Sequence, residues 1–416
     1  MVIGPYVLLK PYDVSTYHLH LDGQHVSKYL FCALGSLGYV YPLLGIAKDL
    51  SQRGHEIFFV TDRRFSGAIT LEGFERIPCG PSDHSSFESS RWYQREAGVI
   101  QVLHTQLAIG ICNPDVIVTS QLARGPLIAA EVAGLPTCVL GFGAYLWPLL
   151  TDDPRVVASD AQRGAQQRYA SMLRSYNDLR CSCGLDSLQA DPSTSMLGDA
   201  FLLRSVPSME VDGGKWLPKQ VHLAGSCVWE PESIAYSASS VATCLSAIRG
   251  EVSIIYVQQG RSFNSARFWE RLIDALVDRT DVFAFASTDK VDGPIGPMPH
   301  NIYARAHVPQ GRVMKAASGV VSSGNTTSVL GALEQGLPTL LFPMGNEQPD
   351  LAEHCVRVGA ALSARPDRID DEDMDRLLNA LLNDNGLRTS AVRLSHEFAT
   401  TRAKGTAVRV LEALVR

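Results

Sequence analysis

Residues 307–348 read HVPQGRVMKAASGVVSSGNTTSVLGALEQGLPTLLFPMGNEQ. Within them, GRVMKAA has helical composition, and SGVVSSG is a short apolar run bounded by small residues, which predicts a strand. TTSVLGALEQG follows with helical spacing and a terminal glycine, and LPTLLFP predicts the next strand. Strand, helix and strand in direct succession form a βαβ unit, which implies a parallel sheet covered by helices.

The same alternation extends in both directions. Upstream, EVSIIYVQQG, DVFAFAST and NIYARAHVP predict strands, with the helix RFWERLIDALVDR between the first two. Downstream, helices are predicted near 349–359, 371–383 and 389–415. An earlier series opens with the strand KYLFCAL, the turn GSLGY and the helix YPLLGIAKDLSQRG, with Pro42 in its first turn and Gly54 past its end. HEIFFVTD, PDVIVTS and LPTCVLGF are further strands, RGPLIAAEVAG is a helix, and a polar, helix-compatible region covers roughly 155–190. Between the two series, SVPSMEVDGGKWLPKQVHLAGSCVWEP is rich in proline and glycine and breaks the periodicity.

The organisation expected is therefore a polar extension (1–27), a Rossmann-like domain (28–210) and a linker (211–231). A second Rossmann-like domain (232–390) and a C-terminal helix (391–416) complete it. A chain of 416 residues exceeds the usual size of one core, which agrees with two domains. The fold class is α/β, two doubly wound domains facing across a cleft, with ligands expected at the carboxyl ends of the strands.

Composition narrows the function classes. A net charge of −6 gives no reason to expect nucleic acid, which normally demands a basic face. No apolar run reaches the roughly 18 residues needed to span a bilayer, and residues 1–27 lack the regions of a signal peptide. Nine cysteines at irregular spacings fit a reducing, cytoplasmic compartment. His18, His20 and His25 in YHLHLDGQH invite a metal reading, but a polar extension accounts for them more simply. No metal is implied elsewhere, because no D-x-D pair ends a strand. The sequence sets no oligomeric state.

VPQ, the small-residue turn before SVLGALEQGLP, and FPMGNEQ occur in that order. On these, the chain resembles the nucleotide-sugar-dependent glycosyltransferases of GT-B architecture over roughly residues 28–410. Among them it looks most like bacterial natural-product glycosyltransferases that use UDP- or TDP-sugars. The resemblance implies a donor site on the second domain, with the nucleotide sugar a substrate and no cofactor. Val308 and Gln310 would flank the base, and Glu347 and Gln348 would face the sugar hydroxyls, which a carboxylate and an amide can satisfy together. Gly260, Arg261 and Ser262 would lie against the phosphates. At the turn Ser323, Gly324, Asn325, Thr326, Thr327 and Ser328, hydroxyls and a helix N-terminus favour a diphosphate, although such residues also cap helices with no ligand.

The departures carry equal weight. Ser323 (or Ser322) stands where relatives place a histidine in the phosphate turn. Gly331 replaces a ribose-binding glutamate, with Glu334 one helical turn on, and His307 replaces a tryptophan before VPQ. In the family, the turn after the first strand presents a histidine base that a later aspartate orients. Here Gly38 is followed by Tyr39, and Ser120 stands at the aspartate position. A phenol with a reference pKa of about 10 is a poor base near neutral pH.

Three explanations stay open. The acceptor ionises unaided; Asp83 or His84 in GPSDHSSFE acts as base; or the chain is a catalytically silent relative that binds a ligand or partner. A nucleotide-sugar epimerase is a further alternative. Phe142, Tyr145 and Trp147 in GFGAYLWP are expected to wall an apolar or aromatic acceptor pocket, or equally to pack the core.

Overall fold

A computed structural model describes residues 26–78, 86–143, 160–188, 196–215, 217–230, 235–248, 250–259, 266–288 and 297–415. Two compact units emerge. The first comprises the described residues of Met1–Ser205, Trp216–Trp229 and Lys404–Arg416, and the second those of Val206–Lys215 and Glu230–Ala403.

In the first unit the order is β1 (Lys28–Cys32), α1 (Leu37–Ser51), β2 (Glu56–Val60), α2 (Ser66–Leu71), β3 (Glu75–Arg76) and α3 (Arg95–Cys112). Then come β4 (Val116–Ser120), α4 (Gly125–Ala133), β5 (Thr137–Gly141), α5 (Asp160–Ser182), β6 (Ala200–Leu203) and β7 (Val221–Leu223). The sheet order is β3-β2-β1-β4-β5-β6-β7, parallel throughout. Strand periodicity divides its apolar residues between two faces: Leu30 and Cys32 enter one core, Tyr29 and Phe31 the other. All four are fully buried, as a parallel sheet with helices on both sides requires.

The second unit runs α6 (Ala235–Ala247), β8 (Ser253–Gln258), α7 (Ala266–Leu276), β9 (Val282–Ser287), β10 (Ile302–Arg305), α8 (Gln310–Met314) and β11 (Gly319–Ser322). It continues with α9 (Thr326–Glu334), β12 (Thr339–Leu341), α10 (Gln348–Arg357), β13 (Ala361–Ser363), α11 (Asp371–Asn383) and α12 (Asn385–Ala403). Its parallel sheet has the order β10-β9-β8-β11-β12-β13. Each sheet thus reverses its strand order beside its first strand, between β1 and β4 and between β8 and β11. In doubly wound sheets ligands bind outside the strand ends at that reversal.

Three local expectations differ from what is found. The first helix begins at Leu37, so Pro42 lies inside it and not in its first turn. Proline has no N–H for the carbonyl four residues back. That carbonyl, Gly38 O, instead accepts from Arg204 Nη1 at 3.5 Å. The stretch 211–231, expected to be a linker, carries β7, which pairs with β6 as the last strand of the first sheet. Three residues among prolines and glycines are too few to show a period. Finally, the expected C-terminal helix is two helices. Gly405, at φ 58°, separates α12 from α13 (Thr406–Leu414). Val408 and Leu411 of α13 pack with Val40, Leu43 and Leu44 of α1 in the first unit. Burying such side chains contributes about 1.5–3 kcal/mol each.

Candidate functional site

In the second unit, β8 and β11 run side by side, and both lead into the candidate donor site. Beyond β11, the Ser323 N–H donates to Gln258 O at 3.2 Å, closing the start of the turn. Gly324 follows at φ 86°, a backbone that favours glycine. A Cβ there would meet Gln348 Cβ at 3.1 Å, so the turn packs against the start of α10. Asn325 then caps α9, its side-chain oxygen accepting the Thr327 N–H at 3.2 Å. The first N–H groups of a helix have no intrahelical partner and carry the positive end of its dipole. The start of α9 is thus suited to an anion, and it stands at the reversal of the sheet.

Two side-chain contacts tie neighbouring segments to this turn. Thr326 Oγ1 donates to Glu347 Oε1 at 3.4 Å, joining this turn to the loop before α10. The Ser328 hydroxyl meets the carboxamides of both Gln258 and Gln310, the latter at 3.1 Å. A hydroxyl has one proton, so it donates to one of the two carboxamide oxygens at a time. Through Ser328, the end of β8 and the VPQ segment are therefore fixed to α9.

Burial sorts the candidate residues. Ser323, Thr326 and Ser328 are buried, whereas Asn325 and Thr327 are partly accessible. The Thr327 hydroxyl is enclosed and makes no hydrogen bond among the described residues; the same holds for His307 Nε2. An enclosed polar atom without a partner is costly in a fold and is common where a ligand supplies the partner. Val308 is buried, with Pro309 and Gln310 opening α8 beside it. Gln348 is buried, and its Oε1 accepts from the Met344 N–H at 3.0 Å and the Gly345 N–H at 3.4 Å. Part of its side chain thus holds the loop, which also turns through Asn346 at φ 56°. Gly260, Arg261 and Ser262 lie outside the described residues.

In the first unit the corresponding reversal lies between β1 and β4. Tyr39, in the first turn of α1, is partly buried and packs 6.1 Å from the Phe142 ring. The Arg204 guanidinium lies 5.6 Å from the centre of the Phe142 ring. Arg204 is buried and donates to Ser226 O at 2.9 Å as well as to Gly38 O. At the end of β4, Ser120 is buried and its hydroxyl accepts the Leu34 N–H at 3.1 Å. The structure thus brings Gly38, Tyr39 and Phe142 together around Arg204, while Ser120 serves the end of β1. Asp83, His84, Tyr145 and Trp147 lie outside the described residues.

Sequence reasoning passed over Gln258 and Arg204. A polar residue at the last position of a buried strand was the available signal for Gln258, and Arg204 stands one residue past β6, a strand that was not recognised. Among the described residues, no group of three or more His, Cys, Asp or Glu side chains is arranged to hold a metal. No helix among them is long and apolar enough to cross a membrane.

Comparison with known proteins agrees with this architecture. The fold is similar to that of the glycotransferase of kitacinnamycin, with a TM-score of 0.73 at 19% identity, covering 94% of this chain and 100% of that one. The spinosyn rhamnosyltransferase, solved with thymidine diphosphate, gives a TM-score of 0.64 at 17% identity, covering 92% of this chain and 100% of that one. The chain has the GT-B fold. Residues 270–414 of the GT-B chain match the family described as erythromycin biosynthesis protein CIII-like, C-terminal domain. Over 91% of its length it is 23% identical to 4'-demethylrebeccamycin synthase of Lentzea aerocolonigenes, covering 97% of that protein. The GT-B chain is therefore similar, across nearly its whole length, to natural-product glycosyltransferases.

Proposed function

We propose that the chain transfers a hexose or deoxyhexose from a nucleoside diphosphate donor to a small natural-product acceptor, without a metal. The observation that carries this reading is the pair of contacts Thr326–Glu347 and Ser328–Gln310. They join the segments expected to meet sugar, diphosphate and base at one helix N-terminus. The thymidine diphosphate held by the spinosyn relative favours a thymidine donor here. The diphosphate leaves against the dipole of α9, assisted by the Thr327 hydroxyl, while the base meets the 307–310 segment.

On the acceptor side, Tyr39 and Phe142 form an apolar wall at the α1 turn. With a phenol at position 39 and an engaged hydroxyl at Ser120, the reaction proceeds on an acceptor that ionises readily, such as a phenol, carboxylate or acidic N–H. The protein then contributes positioning and stabilisation of the leaving diphosphate.

A second reading, a GT-B homologue that binds its ligand without turnover, draws on the same observation at Ser120, whose hydroxyl is committed to Leu34. A thermal-shift panel of TDP, UDP and GDP tests the donor site, since a ligand bound to the native state raises stability by RT ln(1 + [L]/Kd). TDP should give the largest rise. No response to any of the three sinks the donor reading. A response without turnover on phenolic acceptors selects the silent homologue.

A further inference from the structure

Glu230 lies at the end of the stretch expected to be a linker, outside every segment assigned to the donor site. Its Oε1 accepts the Gln310 N–H at 3.1 Å, and its Oε2 accepts the Gly311 N–H at 2.8 Å. Both donors belong to the first turn of α8, where helix N–H groups lack intrahelical partners. A Cβ at 311 would lie 2.8 Å from Glu230 Oε2, the end of a flexible side chain, so a larger residue there shifts the carboxylate from its place. We propose that Glu230 is a positioning residue of the nucleotide site, holding the 307–310 segment in the place where it meets the donor base. The proposal rests on the donor reading above.

The argument is mechanical. A helix of five residues is too short to hold its own conformation, so tertiary contacts must fix it. Gln310 is held twice, its side chain by Ser328 on α9 and its main chain by Glu230. His307 lies three residues earlier, with Nε2 enclosed and unpartnered among the described residues, so its aim depends on where this segment stands. Removing the carboxylate releases the main-chain anchor and leaves two helix N–H groups without an acceptor.

Glu230 is also sensitive to pH. Burial raises its pKa above the usual value, opposed by the N–H groups of Gly311 and Gln310 and by nearby His307, the ionisable side chain that acts on it. Protonation puts a hydrogen on one of the two accepting oxygens and sets it against an N–H. Nucleotide affinity should therefore fall as the pH is lowered through this raised pKa, above the value of about 4.3 at which an ordinary glutamate titrates.

The test is calorimetric binding of TDP, as a function of pH, to the full chain and to Glu230→Ala, Glu230→Gln and Gly311→Ala, with melting temperatures measured alongside. At neutral pH, Glu230→Ala and Gly311→Ala should each weaken TDP binding by about tenfold, the usual effect of losing a hydrogen bond to a charged group. Glu230→Gln, which keeps one acceptor, should recover part of the affinity. Protonation of the diphosphate is common to all forms, so the acid-side loss particular to Glu230 appears in the ratio of wild type to Glu230→Gln. If Glu230→Ala does not fold, Glu230→Gln and Gly311→Ala carry the same comparison. Wild type that binds TDP while the folded variants bind it equally, with the same pH profile, overturns the positioning role and leaves the donor site standing. Affinity that falls only in step with melting temperature also overturns it. Wild type that binds no nucleoside diphosphate removes both the role and the site.

Discussion

The Ser328 hydroxyl lies 3.1 Å from the Gln310 carboxamide and also meets that of Gln258, so one buried side chain joins β8, α8 and α9. Thr327, the next residue back, has an enclosed hydroxyl with no partner among the described residues. The two neighbours should behave differently when altered. Ser328→Ala leaves two carboxamides short of a partner and should lower stability by about 1–3 kcal/mol, weakening nucleotide binding through Gln310. Thr327→Val keeps the shape and removes only the hydroxyl, so stability should be unchanged or slightly raised while TDP binding weakens by about tenfold. Denaturant melts and calorimetry on both variants decide the matter. Equal TDP affinity in folded Thr327→Val takes that hydroxyl out of the phosphate site.

Glu347 and Gln348 should likewise separate. Glu347 touches the phosphate turn through Thr326, whereas the oxygen of Gln348 supports the backbone of its own loop. If Glu347 faces the sugar as proposed, Glu347→Ala should leave the affinity for free TDP within about threefold while sharply reducing use of the sugar donor. Gln348→Ala should reduce both, since Met344 and Gly345 lose their acceptor. Binding of TDP and initial rates with the sugar donor are the measurements. A Glu347→Ala variant that loses both equally would make that residue a support of the loop.

Tyr39 bears on proton transfer. Tyr39→Phe should change turnover of a phenolic acceptor by less than about tenfold, whereas removing a general base costs 10²–10⁴-fold. Tyr39→His alone should not yield strong activity on alcohols. In the double variant with Ser120→Asp, an oriented imidazole becomes available, and the gain should exceed the sum of the single changes. That gain is opposed by stability, because Ser120 is buried and Leu34 donates to it, so the new carboxylate must be held without water. Rates on one phenol and one aliphatic alcohol across the four forms give the answer. Collapse of phenol turnover in Tyr39→Phe would make the tyrosine itself a catalytic group.

At the end of the chain, Glu412 is bonded by Arg53 Nε at 2.6 Å and Arg53 Nη2 at 3.0 Å, with His55 Nε2 at 3.2 Å. Burial alone would raise the Glu412 pKa, but these hydrogen bonds outweigh it and hold the carboxyl below its usual range. A carboxylate with a depressed pKa contributes stability that is present above its unfolded pKa, about 4.3, and is lost as the pH falls through the folded value. Glu412→Gln should therefore lower stability near neutral pH by about 1 kcal/mol, as expected for a well-formed exposed pair. The difference from wild type should vanish in strong acid. Melting curves between pH 2 and pH 7, in the range where Asp and Glu titrate, check this; a difference that stays constant across the range contradicts it.

The sequence by itself determined the α/β alternation, most strands of both parallel series and the candidate donor turn. Those signals are local: apolar runs such as YLFC and SGVVSS, each ended by small residues, need no partner to be recognised. Four strands escaped, β3, β7 and β13 because two or three residues show no period and β6 because four do little better, and the break at Gly405 escaped because helical composition continues on both sides of it. The tertiary structure alone decided what the polar residues of the turn do. Ser328 reads as one more hydroxyl beside Thr326 and Thr327, yet it faces Gln258, seventy residues earlier, because the sheet sets β8 next to β11. Arg204 meets Gly38 for a similar reason, a proline inside α1 leaving that carbonyl free for a distant donor. Local pattern fixes the elements through the backbone's own periodicity. Which side chain finds which partner depends on strand order, and that order follows from burying both faces of each sheet at once.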